Sequence, residues 1–167
     1  MGVVPRTTMK SKKEVRGATA VEFALVLPLF VLLLFGIIDF GWYFFVQHTV
    51  QFATREGTRL ALVGGTLTDD EGNPLDRTAS IIKKIKDSAE TAIDPAELSI
   101  SIFPVTESYS DPTGWENIQN AGNPGDYMRV RTRYTYRFLT PFIGGFFSEG
   151  RNVIQAAATY RNENFPE

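Results

Sequence analysis

The sequence predicts an α+β chain: a long amino-terminal transmembrane helix that extends into water, followed by a small domain with one helix packed on a three-stranded antiparallel sheet. Three observations lead there. From Phe23 to Ile38 no residue is charged, and between Ala18 and Val46 only Glu22 and Asp39 ionise, over a span long enough for a hydrocarbon core of about 30 Å. Helical spacing then continues from Gln47 to Leu62, with Val50, Ala53 and Ala61 among polar neighbours, until Gly64-Gly65 ends it. In the carboxy-terminal half, three runs alternate apolar and polar residues with period two, as half-buried strands do.

Taken in order, residues 1–17 form a basic leader, 18–63 the membrane and membrane-proximal helix, and 64–167 a domain outside the membrane. A chain of 167 residues has room for one anchor and one core of roughly a hundred residues. In the leader, Arg6, Lys10, Lys12, Lys13 and Arg16 stand against Glu14 for a net +4, leaving −6 for the rest of a chain whose total is −2. Basic residues beside the first membrane helix favour the cytoplasmic side, which places the amino end inside and the domain outside. An acidic body also argues against nucleic acid as a partner. With no cysteine, disulfides and thiolate chemistry are excluded, and the compartment is left undecided.

A removable secretory signal would end its apolar run after about 7 to 15 residues at a small-x-small site. Here the run ends in Asp39-Phe40-Gly41-Trp42-Tyr43-Phe44-Phe45, aromatics suited to a membrane–water boundary, so the segment stays in the mature protein. Glu22 is the anomaly, because a carboxylate in a helix entering hydrocarbon costs roughly 2.5 to 3.5 kcal/mol and is usually functional or paired. A cut after Gly17 would create a free amine on Ala18, four positions from Glu22 and on the same helix face. That amine could equally meet Glu22 of a neighbouring molecule. The plainer alternative is a leader that remains attached as a cytoplasmic tail.

At these residues the sequence resembles a known family. Gly17, then Glu22 and Phe23, between a basic leader and an apolar helix, is similar to a type IV prepilin processing site. The longer run Gly17-Ala18-Thr19-Ala20-Val21-Glu22-Phe23-Ala24-Leu25-Val26-Leu27-Pro28, with Phe35-Gly36-Ile37-Ile38-Asp39-Phe40-Gly41, resembles the TadE-like proteins of the tight-adherence (Tad) pilus, as do Arg55-Glu56-Gly57-Thr58-Arg59 and the ending Arg161-Asn162-Glu163. The resemblance implies a pseudopilin or minor pilin cut after Gly17 by a prepilin peptidase and held in the bacterial inner membrane by a single span, with the cell surface as a further destination in a pilus. It implies as partners the peptidase, other minor pilins, the major pilin, the inner-membrane assembly platform and membrane lipid. Ala18 stands where many type IV pilins carry an aromatic residue, a departure that bears on amino-terminal methylation more than on cleavage.

Several further residues carry expectations. Pro28 removes a backbone hydrogen bond inside the helix and predicts a local kink; Gly36 and Gly41 are five apart, which does not support a G-x-x-x-G contact. Asp39 is expected to snorkel to water beside the aromatic belt, or else to meet Arg55 or Arg59 of a neighbouring subunit. His48, the sole histidine, is a solvated boundary residue, since a metal site would need further ligands. Asp69-Asp70-Glu71-Gly72-Asn73 reads as a solvated acidic turn whose glycine falls at the wrong offset for a calcium loop. Asp76 can cap a helix with an apolar face through Ile82, Ile85, Ala89 and Ala92, which Asp94-Pro95 stops.

Strands are expected on Leu98, Ile100 and Ile102; on Met128 to Phe138; and on Val153 to Tyr160, where Ala156 and Ala158 would let the packed helix sit close. Arg129, Arg131, Arg133 and Arg137 form a stripe on the water-facing side of the second strand. The connection from Thr106 to Asp126, long for a hairpin, contains Tyr109 and Trp115; Trp115 either pins the loop to the domain or touches a partner. Pro141 to Phe147 is an apolar connector packed on the sheet end, or resting on the membrane or a partner.

Together these residues point to a structural subunit that acts by binding. No cofactor or metal is expected. The candidate positions are Gly17 and Ala18 for processing, Glu22 and Phe23 for charge pairing in assembly, and Asp39, Arg55, Arg59 and Trp115 as interface residues. A membrane-tethered binding module that never enters a filament, with the 106–126 loop as its recognition surface, is the alternative. An enzyme ranks third, because the chain shows no nucleophile–base pair or phosphate loop.

Overall fold

The computed structural model describes residues 12–106 and 108–165, with side chains from Gly17 onward. The leader's residues 1–11 lie outside the described residues, as do the side chains of 12–16. Helix α1 (Lys12–Leu62) is a single α-helix of 51 residues that runs through Pro28 without interruption, about 75 Å long at 1.5 Å per residue. The stretch Gly17–Leu62 contains the one helix among the described residues that is long and apolar enough to cross a membrane.

The two halves of α1 meet different surroundings. From Val21 to Phe45 nearly every apolar side chain is exposed, whereas Val46, Val50, Ala53 and Ala61 are fully buried in the domain core. The change marks where the helix stops being an exposed apolar rod and becomes a layer of the domain. At its end Gly64 takes φ of +68°, a conformation glycine adopts without strain. The Gly64 and Gly65 N–H groups donate to the Ala61 and Leu60 carbonyls at 3.2 and 3.1 Å, capping the last turn.

Helix α2 (Arg77–Ala89) starts as expected at Asp76, whose carboxylate accepts the Ala79 N–H at 2.7 Å. Its fully buried apolar residues are Ile81, Ile85 and Ala89, with the expected Ile82 and Ala92 partly buried against the same core. Contact with α1 is close here: a Cβ on Gly57 would lie 2.2 Å from Ile85 Cγ1, a crossing that only glycine admits. The helix stops before Asp94, which instead caps the short 3₁₀ turn Pro95–Glu97 by accepting the Ala96 N–H at 2.8 Å.

Strands β1 (Ser99–Pro104), β2 (Tyr127–Arg137) and β3 (Arg151–Arg161) form an antiparallel meander in the order β1-β2-β3. Ile102 lies opposite Val130 and Val130 opposite Ala158, so Ile100, Ile102, Met128, Val130, Ile154 and Tyr160 point to one core shared with both helices. The helix that crosses β3 at the alanines is α1, not the shorter one. Thr54 of α1 and Thr132 of β2, both buried, share a hydrogen bond of 2.7 Å, which satisfies two hydroxyls inside this contact.

The carboxy terminus closes the structure onto α1. The Glu163 N–H donates to the Leu62 carbonyl at 2.9 Å. Arg77 donates to the Ala61 and Gly122 carbonyls and to Asn162 Oδ1, and its guanidinium lies 4.2 Å from the centre of the Phe165 ring. Buried Asn162 donates in turn to the carbonyls of Ala121 and Asn123. The family-like ending is therefore a staple joining the last strand, the long loop and the exit of α1.

Candidate processing and assembly surface

The Gly17–Ala18 bond lies inside α1, and the helix continues through Glu22 and Phe23. Ala18 and Glu22 are one turn apart, about 6 Å along the axis, on one face. Glu22 is exposed, and no ion pair joins it to another described residue. Phe23 is 63 % exposed, in a sleeve with Val21, Leu25, Leu29 and Phe30. Such a surface is stable in lipid or against other apolar helices, and a lone carboxylate within it calls for a cation.

Asp39 departs most from expectation. It neither snorkels nor faces a neighbour: its exposure is 0 %, and the carboxylate is wrapped by the connection that follows β2. Oδ1 accepts the Leu139 N–H at 2.9 Å, while Oδ2 accepts the Thr140 N–H at 3.0 Å and the Thr140 hydroxyl at 2.7 Å. Three donors on one carboxylate supply the charge-assisted bonds a buried acid needs. The partners lie a hundred positions away in sequence, which is why spacing along the helix did not reveal them.

Around this clamp is an aromatic collar. Tyr43 stacks on Phe138 at 5.7 Å and meets Tyr136 edge-on at 5.2 Å; Phe138 stacks on Phe147 at 4.1 Å. The Tyr43 hydroxyl accepts Asn152 Nδ2 at 2.8 Å. Tyr136 is buried beside Asp39, but its hydroxyl closes no hydrogen bond of good geometry. Burial, and then the neighbouring Asp39 charge, pushes its phenol up to about 12.

The other candidate interface residues are dispersed. Arg55 and Arg59 are exposed on α1; Arg55 borders a shallow groove with Gln51, Gln155 and Ala157, and Arg59 one with Glu56, Val63 and Lys84. Trp115 serves as a pin. It lies 5.5 Å from the Phe103 ring and beneath the guanidinium groups of Arg131 and Arg133, at 4.4 and 4.9 Å.

The arginine stripe is thereby only partly a wet face. Asp111 of the same loop pairs with Arg129 and, at 2.7 Å, with Arg131. The loop also pairs with the β1 edge: Ile102 N–H donates to Ile118 O at 2.8 Å and Asn120 N–H to Ile102 O at 2.9 Å. This covers a strand edge that would otherwise invite association.

Among the described residues no group of three or more His, Asp or Glu side chains is placed to hold a metal. Asp69 turns its carboxylate onto its own loop, accepting from the Glu71 and Asn73 N–H groups and from Asn73 Nδ2. The hydrogen bond from the Asn73 side chain comes first among the causes that hold its acid below the usual range. His48 is exposed on α1.

Comparison with known proteins agrees with the membrane-helix segment. Residues 17–59 match the model of a family described as TadE-like protein, which bears out the resemblance over that stretch. The likeness is to that stretch of TadE-like proteins and does not extend into the carboxy-terminal domain. No curated protein and no solved structure matches it.

Proposed function

We propose that this chain is a membrane-anchored pseudopilin or minor pilin, cut after Gly17 and acting as a structural subunit in Tad pilus assembly. The observation that carries the proposal is the division of α1: an exposed apolar half with a single acid one turn past a glycine, and a distal half that is built into a folded domain. The basic leader holds the amino end in the cytoplasm, and the domain sits outside. A prepilin peptidase removes the leader, the new Ala18 amine offsets Glu22 on its own helix or on a neighbour's, and the exposed sleeve packs among other apolar helices. The partners are the peptidase, other minor pilins, the major pilin, the assembly platform and lipid, without nucleic acid. The work is binding, not catalysis, in the bacterial inner membrane and then the pilus.

Mass measurement of the membrane-extracted protein tests this directly. The expected mature chain begins Ala18-Thr19-Ala20; a protein that still carries Met1 to Gly17 refutes processing. Glu22→Ala should leave cleavage largely intact while reducing piliation, and undiminished piliation would remove the charge pairing. The tethered-module alternative, which relies on the 106–126 loop as a free recognition arm, is less well supported, because Asp111, Trp115 and Asn120 fasten that loop to the sheet.

A further inference from the structure

The connection between β2 and β3 begins with ten residues without a charge, Phe138-Leu139-Thr140-Pro141-Phe142-Ile143-Gly144-Gly145-Phe146-Phe147, before Ser148-Glu149-Gly150 leads into β3. The last of the ten turns back on the sheet end, where Phe147 stacks on Phe138 at 4.1 Å, while their middle reaches α1. Short helix α3 (Pro141–Gly144) points toward the amino end of α1. A Cβ on Gly36 would touch Ile143 Cδ1 at 3.8 Å, and a cleft of about 560 Å³ runs between Leu139, Phe142 and Ile143 on one side and Pro28, Val31, Leu32 and Phe35 on the other. Measured along α1 from Asp39, Phe35 is about 6 Å and Pro28 about 16 Å deeper. The connector therefore lies at the depth of residues that belong in hydrocarbon.

Its outward side is apolar as well. Leu139 is 62 %, Phe142 52 % and Phe146 72 % exposed. At its base Arg137 lies directly opposite Arg151 in the strand register, both exposed. Like charges placed opposite each other across a hairpin destabilise it; exposed Glu149 lies 3.7 Å from Arg151, while Arg137 has no ion pair among the described residues. Trp42, 45 % exposed on α1, lies three residues past Asp39 and marks the same boundary.

We propose that this knuckle is a second membrane anchor: Leu139, Phe142 and Phe146 enter the acyl region of the leaflet on the domain's side, and Arg137 and Arg151 meet the lipid phosphates. Asp39 then has a defined task. It holds the knuckle against α1 through the Leu139 and Thr140 N–H groups, satisfying backbone donors that lipid could not. Acyl chains fill the cleft beside Pro28. The proposal rests on α1 being a membrane helix.

A chain without cysteine allows a clean test. Single cysteines at Phe142, Phe146, Leu33 and Thr113 of the full-length protein, labelled with an environment-sensitive fluorophore, are reconstituted in vesicles containing anionic lipid with or without brominated acyl chains. Labels at Phe142 and Phe146 should shift to the blue and lose most of their intensity to the bromines, as at Leu33, while the Thr113 label responds only to aqueous iodide. If Leu33 is quenched by bromines but Phe142 and Phe146 respond to iodide, the wedge is overturned and the helix stands. Shielding of both labels from iodide and bromine alike, growing with the protein-to-lipid ratio, would assign the surface to a neighbouring copy and also overturn it. A Leu33 label untouched by bromines would refute the membrane helix itself.

Discussion

Replacing Asp39 by Asn keeps the shape of the side chain and removes its charge and one acceptor. The better amide orientation leaves its oxygen on the Thr140 N–H and hydroxyl, so the Leu139 N–H faces an NH₂ group. One hydrogen bond to a charged group is lost, worth about 1.5–3 kcal/mol. Asp39→Ala removes all three bonds; the hydroxyl can turn elsewhere, but two backbone donors are stranded at about 1–3 kcal/mol each, for a total of roughly 3–5. Thr140→Val deletes a single donor to the carboxylate and leaves the two N–H bonds in place, which should cost about 1.5–3 kcal/mol, less than Asp39→Ala. Hydrogen exchange by mass spectrometry on the full chain in nanodiscs reads this locally. At 1.4 kcal/mol per tenfold, peptides covering residues 137–147 should lose about 30-fold of protection in Asp39→Asn and more in Asp39→Ala. Exchange unchanged in Asp39→Ala, or a Thr140→Val effect larger than that of Asp39→Ala, would show that the clamp does not hold the knuckle to the helix.

Other substitutions probe the domain. Gly57→Ala should destabilise by about 1–3 kcal/mol, the range for overpacking a close contact, because its Cβ falls 2.2 Å from Ile85 Cγ1, whereas Gly36→Ala meets ordinary contact at 3.8 Å and should be near neutral; urea midpoints separate the two. Burial pushes the Tyr160 phenol up to about 12, above its unfolded value near 10. The group therefore leaves stability unchanged with pH below 10, and as pH rises from 10 to 12 its ionisation in the unfolded chain lowers stability by about 2–3 kcal/mol, a slope that Tyr160→Phe should reduce in alkaline melts. The same change should be neutral or slightly stabilising at pH 7, since the buried hydroxyl makes no hydrogen bond and its removal strands no partner. Asn162→Ala takes an acceptor from Arg77 and donors from two carbonyls, and should expose the tail after Arg161 to limited proteolysis with a loss of about 2–3 kcal/mol.

What the sequence made legible was periodic. The uninterrupted apolar run, the continued helical spacing to Leu62, the period-two strands, the Asp76 cap and the Gly64 stop all depend on residues within a few positions of one another, and all are found in the structure. The unpredicted features are pairings across long separations. Nothing near Asp39 announces Leu139 and Thr140, and nothing in the aperiodic 106–126 loop announces that Asp111 and Trp115 will lie on the arginine stripe. Ile81 and Ile82 are equally apolar neighbours, and which is the more deeply buried depends on packing that spacing along the helix does not give. Thr140 did carry a faint signal, as the one polar side chain in an otherwise apolar connector.

The joint between helix and domain bears on the choice between the proposed packing subunit and a tether. A module that needs only to stay near a membrane can hang from a flexible linker, and loses nothing by swivelling. Here Val46, Val50, Ala53 and Ala61 of the anchor helix are themselves the domain's core, so the domain cannot rotate about its anchor without unpacking. Asp39 adds a second attachment seven residues before Val46, about 10 Å lower on the axis, and two attachments at different heights fix a direction as well as a position. A subunit that docks with its orientation already set spends less conformational freedom on assembly. The staple of Arg77, Asn162 and Phe165 at the far end of α1 extends the same constraint past the last helical turn, so the helix is gripped from the aromatic collar to Leu62. Rigidity over that whole distance has no use in a tether and a direct use in a body whose neighbours must find both its membrane helix and its domain in register.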